Sequence, residues 1–555
     1  MKPTHQQAAI THSASRLQDG EVLKVLAAAG AGKTSTLKMV AKARQDRGLY
    51  MAFNKSIATE AKHKLAATRC SAATMHALAF RVMRDEMEGG PQTLNARAVI
   101  DTGLIQRRRV RGPKGWGDYR VGSAVARTVA IFCASADTEI SRDHGRAAVV
   151  ESVGDPDFIS TYDRKKKAEE ALRYLVGPVT DLARDIWDLR VQKNAYDHDM
   201  YLKMIDLEDH LRRDAFRGTR YLMVDEAQDL NPVQRSILLK SGLPLIAVGD
   251  PYQAIYSWRG AEDALSLMDG ESLHLTQSFR FGNNIAKIAR YVLEHHPDGG
   301  PDERVTGVGP GSLEDYEGPR GMVVCRTNVG MLEEAIDLIE QGKTVHIDKI
   351  EDLVGEVTSA AALREGDKRE VKDPTIRQFA TWDELKESAD AGDTHLTRLV
   401  NLVEKNRVDF VKKLAAENCR DAASANISVC TAHRSKGLEA PNVRMGNDFE
   451  DLVELRDRYE KSAAKSEKHA VRAAEEFNLV YVAATRGMLR TLNVMRILKP
   501  VEDPIVKEAR EAREVQKGAP VPAGKTGTSP SRPIRSRSVM DAAGWAQDVQ
   551  DIPVE

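Results

Sequence analysis

The chain has 555 residues, of which 42% are hydrophobic and 29% charged, with a formal net charge of −1. That length exceeds what one compact core takes and implies a globular protein of several domains. The near-zero charge excludes a uniformly basic nucleic-acid coat but leaves room for a local basic groove, since phosphate contacts need only a few placed Lys and Arg. The cysteines Cys70, Cys133, Cys325, Cys419 and Cys430 are scattered, with no CxxC pair or His partner at metal spacing. No N-terminal apolar signal core and no bilayer-length apolar run is present, so the expectation is a reduced protein of the cytoplasm, nucleoid or nucleus, off the membrane.

In chain order, Val22–Ala27, Gly48–Ala52, Tyr221–Val224 and Leu243–Val248 are short apolar runs, each followed by a polar or glycine-rich turn. This is the grammar of buried strands in a parallel α/β sheet. A second set starts near Leu273 and continues with Gly321–Cys325, Ile427–Thr431 and Thr491–Val494. The expected organisation is a first α/β core over 1–84 and 219–272, a helical insertion over 85–218, a second core over 273–340 and 426–500, and a second insertion over 341–425. From 511 the composition turns to Pro, Gly, Ser and Arg, which predicts a disordered, locally basic tail.

The sharpest chemical signal is Ala27-Ala-Ala-Gly30-Ala31-Gly32-Lys33-Thr34-Ser35, lying between the first strand and an amphipathic stretch. It has P-loop spacing, with alanine at the usual first glycine. Backbone N–H groups of small residues can surround phosphate oxygens, Lys33 can neutralise the β- and γ-phosphates of ATP, and the Thr34 hydroxyl can ligate Mg²⁺. The similar Gly524-Lys525-Thr526 has no strand before it and is discarded. After the strand Tyr221–Val224 come Asp225-Glu226-Ala227-Gln228-Asp229, an acid pair that can set Asp225 on Mg²⁺ and Glu226 beside the attacking water.

The acidic segment resembles that of superfamily 1 helicases, and the following segments resemble the UvrD/Rep branch in order. They are Val248-Gly-Asp250-Pro-Tyr-Gln253-Ala-Ile-Tyr256-Ser-Trp258-Arg259-Gly-Ala261, Gln277-Ser-Phe-Arg280, Thr431-Ala-His433-Arg-Ser-Lys436-Gly-Leu-Glu439, and Glu475-Glu-Phe-Asn478-Leu-Val-Tyr481-Val-Ala-Ala-Thr485-Arg486-Gly487. Upstream, Gln6-Gln7-Ala8-Ala9-Ile10 resembles the adenine-reading glutamine motif, with Gln6 the better match. Ala52-Phe53-Asn54-Lys55 and Ser435-Lys-Gly-Leu-Glu439-Ala-Pro look most like the F-box DNA helicase group, although no F-box segment is evident.

The resemblance implies two RecA-like P-loop domains, each with an inserted, mainly helical subdomain. It further implies an ATP- and Mg²⁺-dependent DNA helicase and single-strand translocase of 3′-to-5′ polarity, serving DNA repair, recombination or replication. Its partners would be single-stranded DNA, single-/double-strand junctions and replication or recombination proteins. It gives Arg280 and Arg486 to transition-state charge, Gln253 to the γ-phosphate and Glu439 to the ribose. Phe53, Thr74, His76, Tyr256, Trp258, Arg259, Thr431 and His433 go to the DNA track, where bases stack on aromatic rings. The cluster Arg107-Arg-Arg109-Val-Arg111 with Trp116, Tyr119 and Arg120 is a further candidate nucleic-acid surface. The second insertion is shorter than in the best-known relatives and lacks their glycine-containing duplex-binding motif. Translocation is therefore supported further than unwinding, and an ATP-controlled DNA- or partner-binding subunit is the alternative reading.

Overall fold

The computed structural model describes residues 2–494, apart from 88, 114–115, 155, 157–161, 257–263, 300–304, 310–320, 378, 380, 391–393 and 465–466. Trp258, Arg259 and the tail from 511 lie outside the described residues.

Six strands build the first sheet: β1 (Val22–Ala27), β2 (Gly48–Ala52), β3 (Cys70–Thr74), β4 (Tyr221–Val224), β5 (Leu245–Gly249) and β6 (Glu271–Leu275). Their order is β3-β2-β4-β5-β1-β6, and every pairing is parallel. Alternate residues go to opposite faces. Leu23, Val25, Tyr50, Met223 and Ile246 pack with Ile10, Leu37 and Val40 from the helices His5–Arg16 and Lys33–Ala43. Leu49, Met51, Leu222, Val224 and Leu245 share the opposite core with Phe132, Ile186 and Met200 of the first insertion. Each such aliphatic side chain contributes ~1.5–3 kcal/mol on burial, so the insertion is tied firmly to the sheet.

A two-stranded ribbon follows, β7 (Gln277–Ser278) with β8 (Thr306–Gly307). The second sheet comprises β9 (Gly321–Cys325), β10 (Val345–His346), β11 (Ile427–Thr431), β12 (Ala440–Met445) and β13 (Gly487–Leu492), in the parallel order β10-β11-β9-β12-β13. Two α/β cores are thus present, as expected.

Several strand readings need correction. The run from Leu273 does not open the second core: Leu273 and Leu275 sit in β6, which pairs with β1 and extends the first sheet. The expected Leu243–Val248 starts later, at Leu245, because Pro244 has no N–H to give a ladder. The expected Thr491–Val494 is Gly487–Leu492, where Arg490 and Thr491 break up the apolar run. β3 was hidden by its small residues, and β12 by Pro441 and Arg444.

The second insertion packs around Val357, Leu363, Phe379, Leu385 and Leu399. Tyr119 of the first insertion reaches this cluster, its ring 5.4 Å from that of Phe379.

Candidate nucleotide and DNA site

Three neighbouring strands of the first sheet, β1, β5 and β4, end on the same edge. Their carboxyl ends deliver the Ala27–Gly32 loop, Asp250, and the pair Asp225–Glu226, the edge where open α/β sheets bind ligands. Ala27 closes β1, so an alanine is tolerated where glycine is usual. Gly30 and Gly32 have φ of +71° and +78°, which only glycine adopts cheaply. A Cβ on Gly30 would also lie 2.5 Å from Arg280 Cβ, so the loop needs glycine to meet the Gln277–Arg280 segment. The Phe279 N–H donates to the Gly30 carbonyl at 2.9 Å and closes that contact.

Lys33 opens the helix Lys33–Ala43 and pairs with Glu226 Oε1 at 2.9 Å. The Thr34 hydroxyl donates to Asp225 Oδ2 at 3.2 Å, and the Tyr50 hydroxyl donates to the same oxygen at 2.5 Å. Gln228 donates to Glu226 Oε2 at 2.7 Å, and its own carbonyl accepts from the Asp250 N–H at 3.0 Å. Glu226 sits at φ +55°, an unusual value for a non-glycine residue, which turns it off the end of β4 into this cluster.

The environment separates the two acids. Burial and the neighbouring Glu226 charge raise the Asp225 pKa. Burial pushes Glu226 upward too, but Lys33, then Lys436, and the hydrogen bonds from Lys33 and Gln228 outweigh it and hold the carboxyl well below its usual range. For Lys33, burial is opposed by Glu226, Asp250 and Asp225, and the ammonium pKa rises. Burial, followed by the Asp225 charge, raises the Tyr50 phenol, so it remains a donor. Thr34 and Asp225 present hard oxygen ligands side by side, the donor chemistry that suits Mg²⁺.

The second core closes over this edge. Arg486, at the end of the helix Glu467–Ala484, is fully buried and donates to Gln253 Oε1 at 3.1 Å, while Gln253 donates to Asp250 Oδ2 at 2.6 Å. Burial and the nearby Arg280 lower the Arg486 pKa to about 9, still well above neutrality, so its charge persists. Arg280 is paired with Glu439 at 2.7 Å and donates to the Thr485 carbonyl at 3.2 Å. Tyr481 accepts from the Ala29 N–H at 3.3 Å, and Asn478 donates to the Ala254 carbonyl at 2.8 Å.

The structure therefore brings Lys33, Thr34, Asp225, Glu226, Gln253 and Arg486 together, with Arg280 and Glu439 paired beside the P-loop. Ser35 is exposed on the first turn after the loop, and Ala27 and Ala31 are buried in its wall. Gln6 is engaged with Thr276, accepting from its N–H and donating to its hydroxyl, both at 3.1 Å. Gln7, the weaker match in sequence, is buried, caps the first helix through Thr4 and donates to Thr36 Oγ1 at 3.3 Å, directly behind the P-loop.

Among the DNA candidates, Phe53 is 38% exposed and stacks on Tyr256, with ring centroids 5.6 Å apart and 15° between planes. Tyr256 donates to the His433 carbonyl at 3.5 Å, which links the two cores at this surface. Thr74 and Thr431 play matching parts at the ends of β3 and β11, each capping the following helix through its hydroxyl. His76 lies 3.4 Å from Asp199, on the first insertion. The basic cluster is partly spent internally: Arg108 pairs with Asp185 at 2.6 Å, and Arg120 covers the Trp116 ring at 4.4 Å.

Sequence reasoning gave no role to Tyr50, Gln228, Asp229, Lys436 or Tyr481. Only Tyr50 falls outside the quoted motifs; for the others the signal was their place within them.

Comparisons with known proteins agree with this geometry. Residues 4–271 match the UvrD/REP helicase N-terminal domain, and residues 159–490 match the UvrD-like helicase C-terminal domain. F-box DNA helicase 1 of Gallus gallus is 28% identical over 513 residues, covering 88% of this chain and 48% of that protein. F-box DNA helicase protein 1 of Schizosaccharomyces pombe is 27% identical, covering 86% of this chain and 56% of its own length. The ATP-dependent DNA helicase PcrA of Leuconostoc citreum is 27% identical over 53% of this chain and 40% of that protein. The chain spans about half the length of the curated relatives it matches. With the C-terminal domain alone matching more than half of its residues, on top of two parallel sheets and a P-loop cleft, the chain belongs to the UvrD-like helicase family.

Proposed function

We propose that this chain hydrolyses ATP between its two cores and uses the cycle to move 3′-to-5′ along single-stranded DNA, separating strands or displacing bound proteins. The observation that carries the reading is the bridge of Arg486 to Gln253 beside the Lys33–Glu226 pair, because it sets a charge from one core against the phosphate-binding edge of the other. The cores would be the segments 1–84 with 219–275 and 276–340 with 426–500, which puts β6 in the first.

In this mechanism each functional side chain starts bound to a protein partner and exchanges it for substrate. Lys33 leaves Glu226 for the phosphates of ATP. Glu226 then loses its main compensating charge, burial raises its proton affinity, and it becomes an effective acceptor for the proton of the attacking water. Activation thus follows substrate arrival. Arg280 leaves Glu439 in the same way, freeing the guanidinium for developing phosphoryl charge and the carboxylate for the ribose. Gln253, held by Asp250 and Arg486, senses whether the cores are closed. Thr34 and Asp225 would hold Mg²⁺, which supplies charge neutralisation at the phosphates when bound. Gln6 is proposed as the adenine reader, with Gln7 a second candidate because of its seat behind the P-loop. Phe53 and Tyr256, with Trp258 and Arg259, form the proposed base-stacking track, and Thr74, His76, Thr431 and His433 its backbone contacts.

The reading is tested by strand displacement and by release of a protein block on substrates carrying a 3′ or a 5′ single-stranded tail. ATP-dependent activity on 3′-tailed substrates alone is expected. Preference for 5′ tails rejects the polarity, and block removal without duplex separation favours the translocase form.

A further inference from the structure

Lys436 caps the helix Ala432–Ser435, so it rides on the same turn of the second core as His433. Its ammonium crosses to the first core. It donates to Asp229 Oδ2 at 2.5 Å and to the Gln253 carbonyl at 2.7 Å, and it lies 3.9 Å from Glu226 Oε2. The last separation is a charge contact rather than a hydrogen bond. The same ammonium stands 5.2 Å from the centre of the Tyr256 ring, the ring that stacks on Phe53. The Lys436 and Asp229 side chains are 9% and 1% exposed, so these contacts are made largely out of water, where charge interactions are least screened.

We infer that Lys436 is a positioning residue that couples the single-strand face, Phe53 with Tyr256, to the carboxylate Glu226 across the cleft. This rests on the proposed DNA-dependent ATP hydrolysis. Glu226 is flanked by Lys33 on one oxygen and approached by Lys436 on the other. One ammonium thus spans Asp229, the Gln253 carbonyl and the second oxygen of Glu226. How Lys436 is held by Asp229 and the Gln253 carbonyl fixes where it stands against Glu226, so losing either hold leaves that carboxylate without its link to the second core. Gln253 and Tyr256 are three residues apart on one segment. A base laid against Tyr256 therefore shifts the segment whose carbonyl anchors Lys436. Cleft closure shifts Lys436 itself, because it is carried by the other core. DNA binding and ATP chemistry then meet at one ammonium group.

The test compares wild type, Lys436→Met, Lys436→Arg and Asp229→Asn in steady-state ATP turnover, with and without a saturating single-stranded oligonucleotide. Oligonucleotide affinity and melting temperature are measured in parallel. Lys436→Met keeps the length of the stem and removes the charge. DNA-stimulated kcat is expected to fall about tenfold, the size of effect seen for residues that carry coupling, with the KM for ATP and the oligonucleotide affinity little changed. Lys436→Arg should recover part of the stimulation, and Asp229→Asn should show the same split of kcat from KM. Stimulation of Lys436→Met equal to that of a stimulated wild type overturns the inference alone. So does a joint loss of kcat, both affinities and melting temperature that Lys436→Arg shares, which would mark a merely structural lysine. If Lys436→Met does not fold, a folded Asp229→Asn with wild-type stimulation overturns it equally. A wild-type protein with no stimulation overturns the proposed function and the inference with it.

Discussion

Replacing Glu226 by Gln changes one oxygen to an amide nitrogen and keeps the shape of the side chain. In the structure Glu226 accepts from Lys33 through Oε1 and from Gln228 through Oε2. A glutamine has one carbonyl oxygen, so it keeps one of these contacts and turns its NH₂ toward the other donor. The loss of one hydrogen bond should cost about 1 kcal/mol of stability, and the lost charge opposite the buried Lys33 adds to that, although Asp250 and Asp225 still face the ammonium. The chemical effect is far larger. Without a carboxylate the water loses its proton acceptor, a loss of ~10²–10⁴ in rate, or about 3–5 kcal/mol of barrier. Nucleotide affinity should hold or rise, because Lys33 no longer has to leave an anionic partner to meet the phosphates. The assay is phosphate release at saturating ATP and single-stranded DNA, paired with titration of a fluorescent ATP analogue. Turnover within about threefold of wild type would refute the assignment of Glu226, given the size of a general-base contribution.

Arg486→Ala should lower DNA-stimulated kcat by ~10²–10³ with a much smaller change in KM, since its charge matters most as the transition state develops; a collapse of affinity with surviving turnover would make it a ground-state contact. Asp229 carries a pH signature. Burial, opposed by Lys436 and reinforced by Glu226, raises its pKa to about 6. The folded chain therefore binds a proton below about pH 6 that the unfolded chain takes up only near ~4, so this group's contribution to stability grows as pH falls through that window. Turnover should move the other way, declining below pH 6 as Asp229 loses the charge that holds Lys436, and Asp229→Asn should flatten that limb of the profile. Phe53→Ala removes a half-exposed ring from the Tyr256 stack and should weaken single-strand binding about tenfold, leaving basal turnover near normal; unchanged DNA affinity would remove Phe53 from the track.

Local chemistry was legible in the sequence wherever spacing alone fixes it. The P-loop could be read because positive φ forces glycine at positions 30 and 32. The acid pair could be read because an apolar strand ends in it. Partnerships across the cleft could not. Nothing in the chain order says that Lys33 rests on Glu226, that Arg280 rests on Glu439, or that Tyr50 donates to Asp225 from the neighbouring strand. Those pairs depend on which strands become neighbours. The same holds for β6, whose apolar run looked like the start of a second core until its pairing with β1 placed it in the first. Gln6 and Gln7 are adjacent in sequence, yet the helix turns one to Thr276 and the other to Thr36, a difference only the fold makes visible. The contact of Tyr119 with Phe379 joins two insertions that sequence treats as separate.

The central claim is that one ATP-hydrolysing cleft between the cores is governed by a single strand lying across both. Its most direct test is the rate of ATP turnover by the purified chain with and without a single-stranded oligonucleotide, with Lys33→Ala as the inactive control. The expected result is a strong rise in kcat on adding the oligonucleotide, abolished in the control. Turnover that is indifferent to DNA, or that persists in Lys33→Ala, would contradict the account.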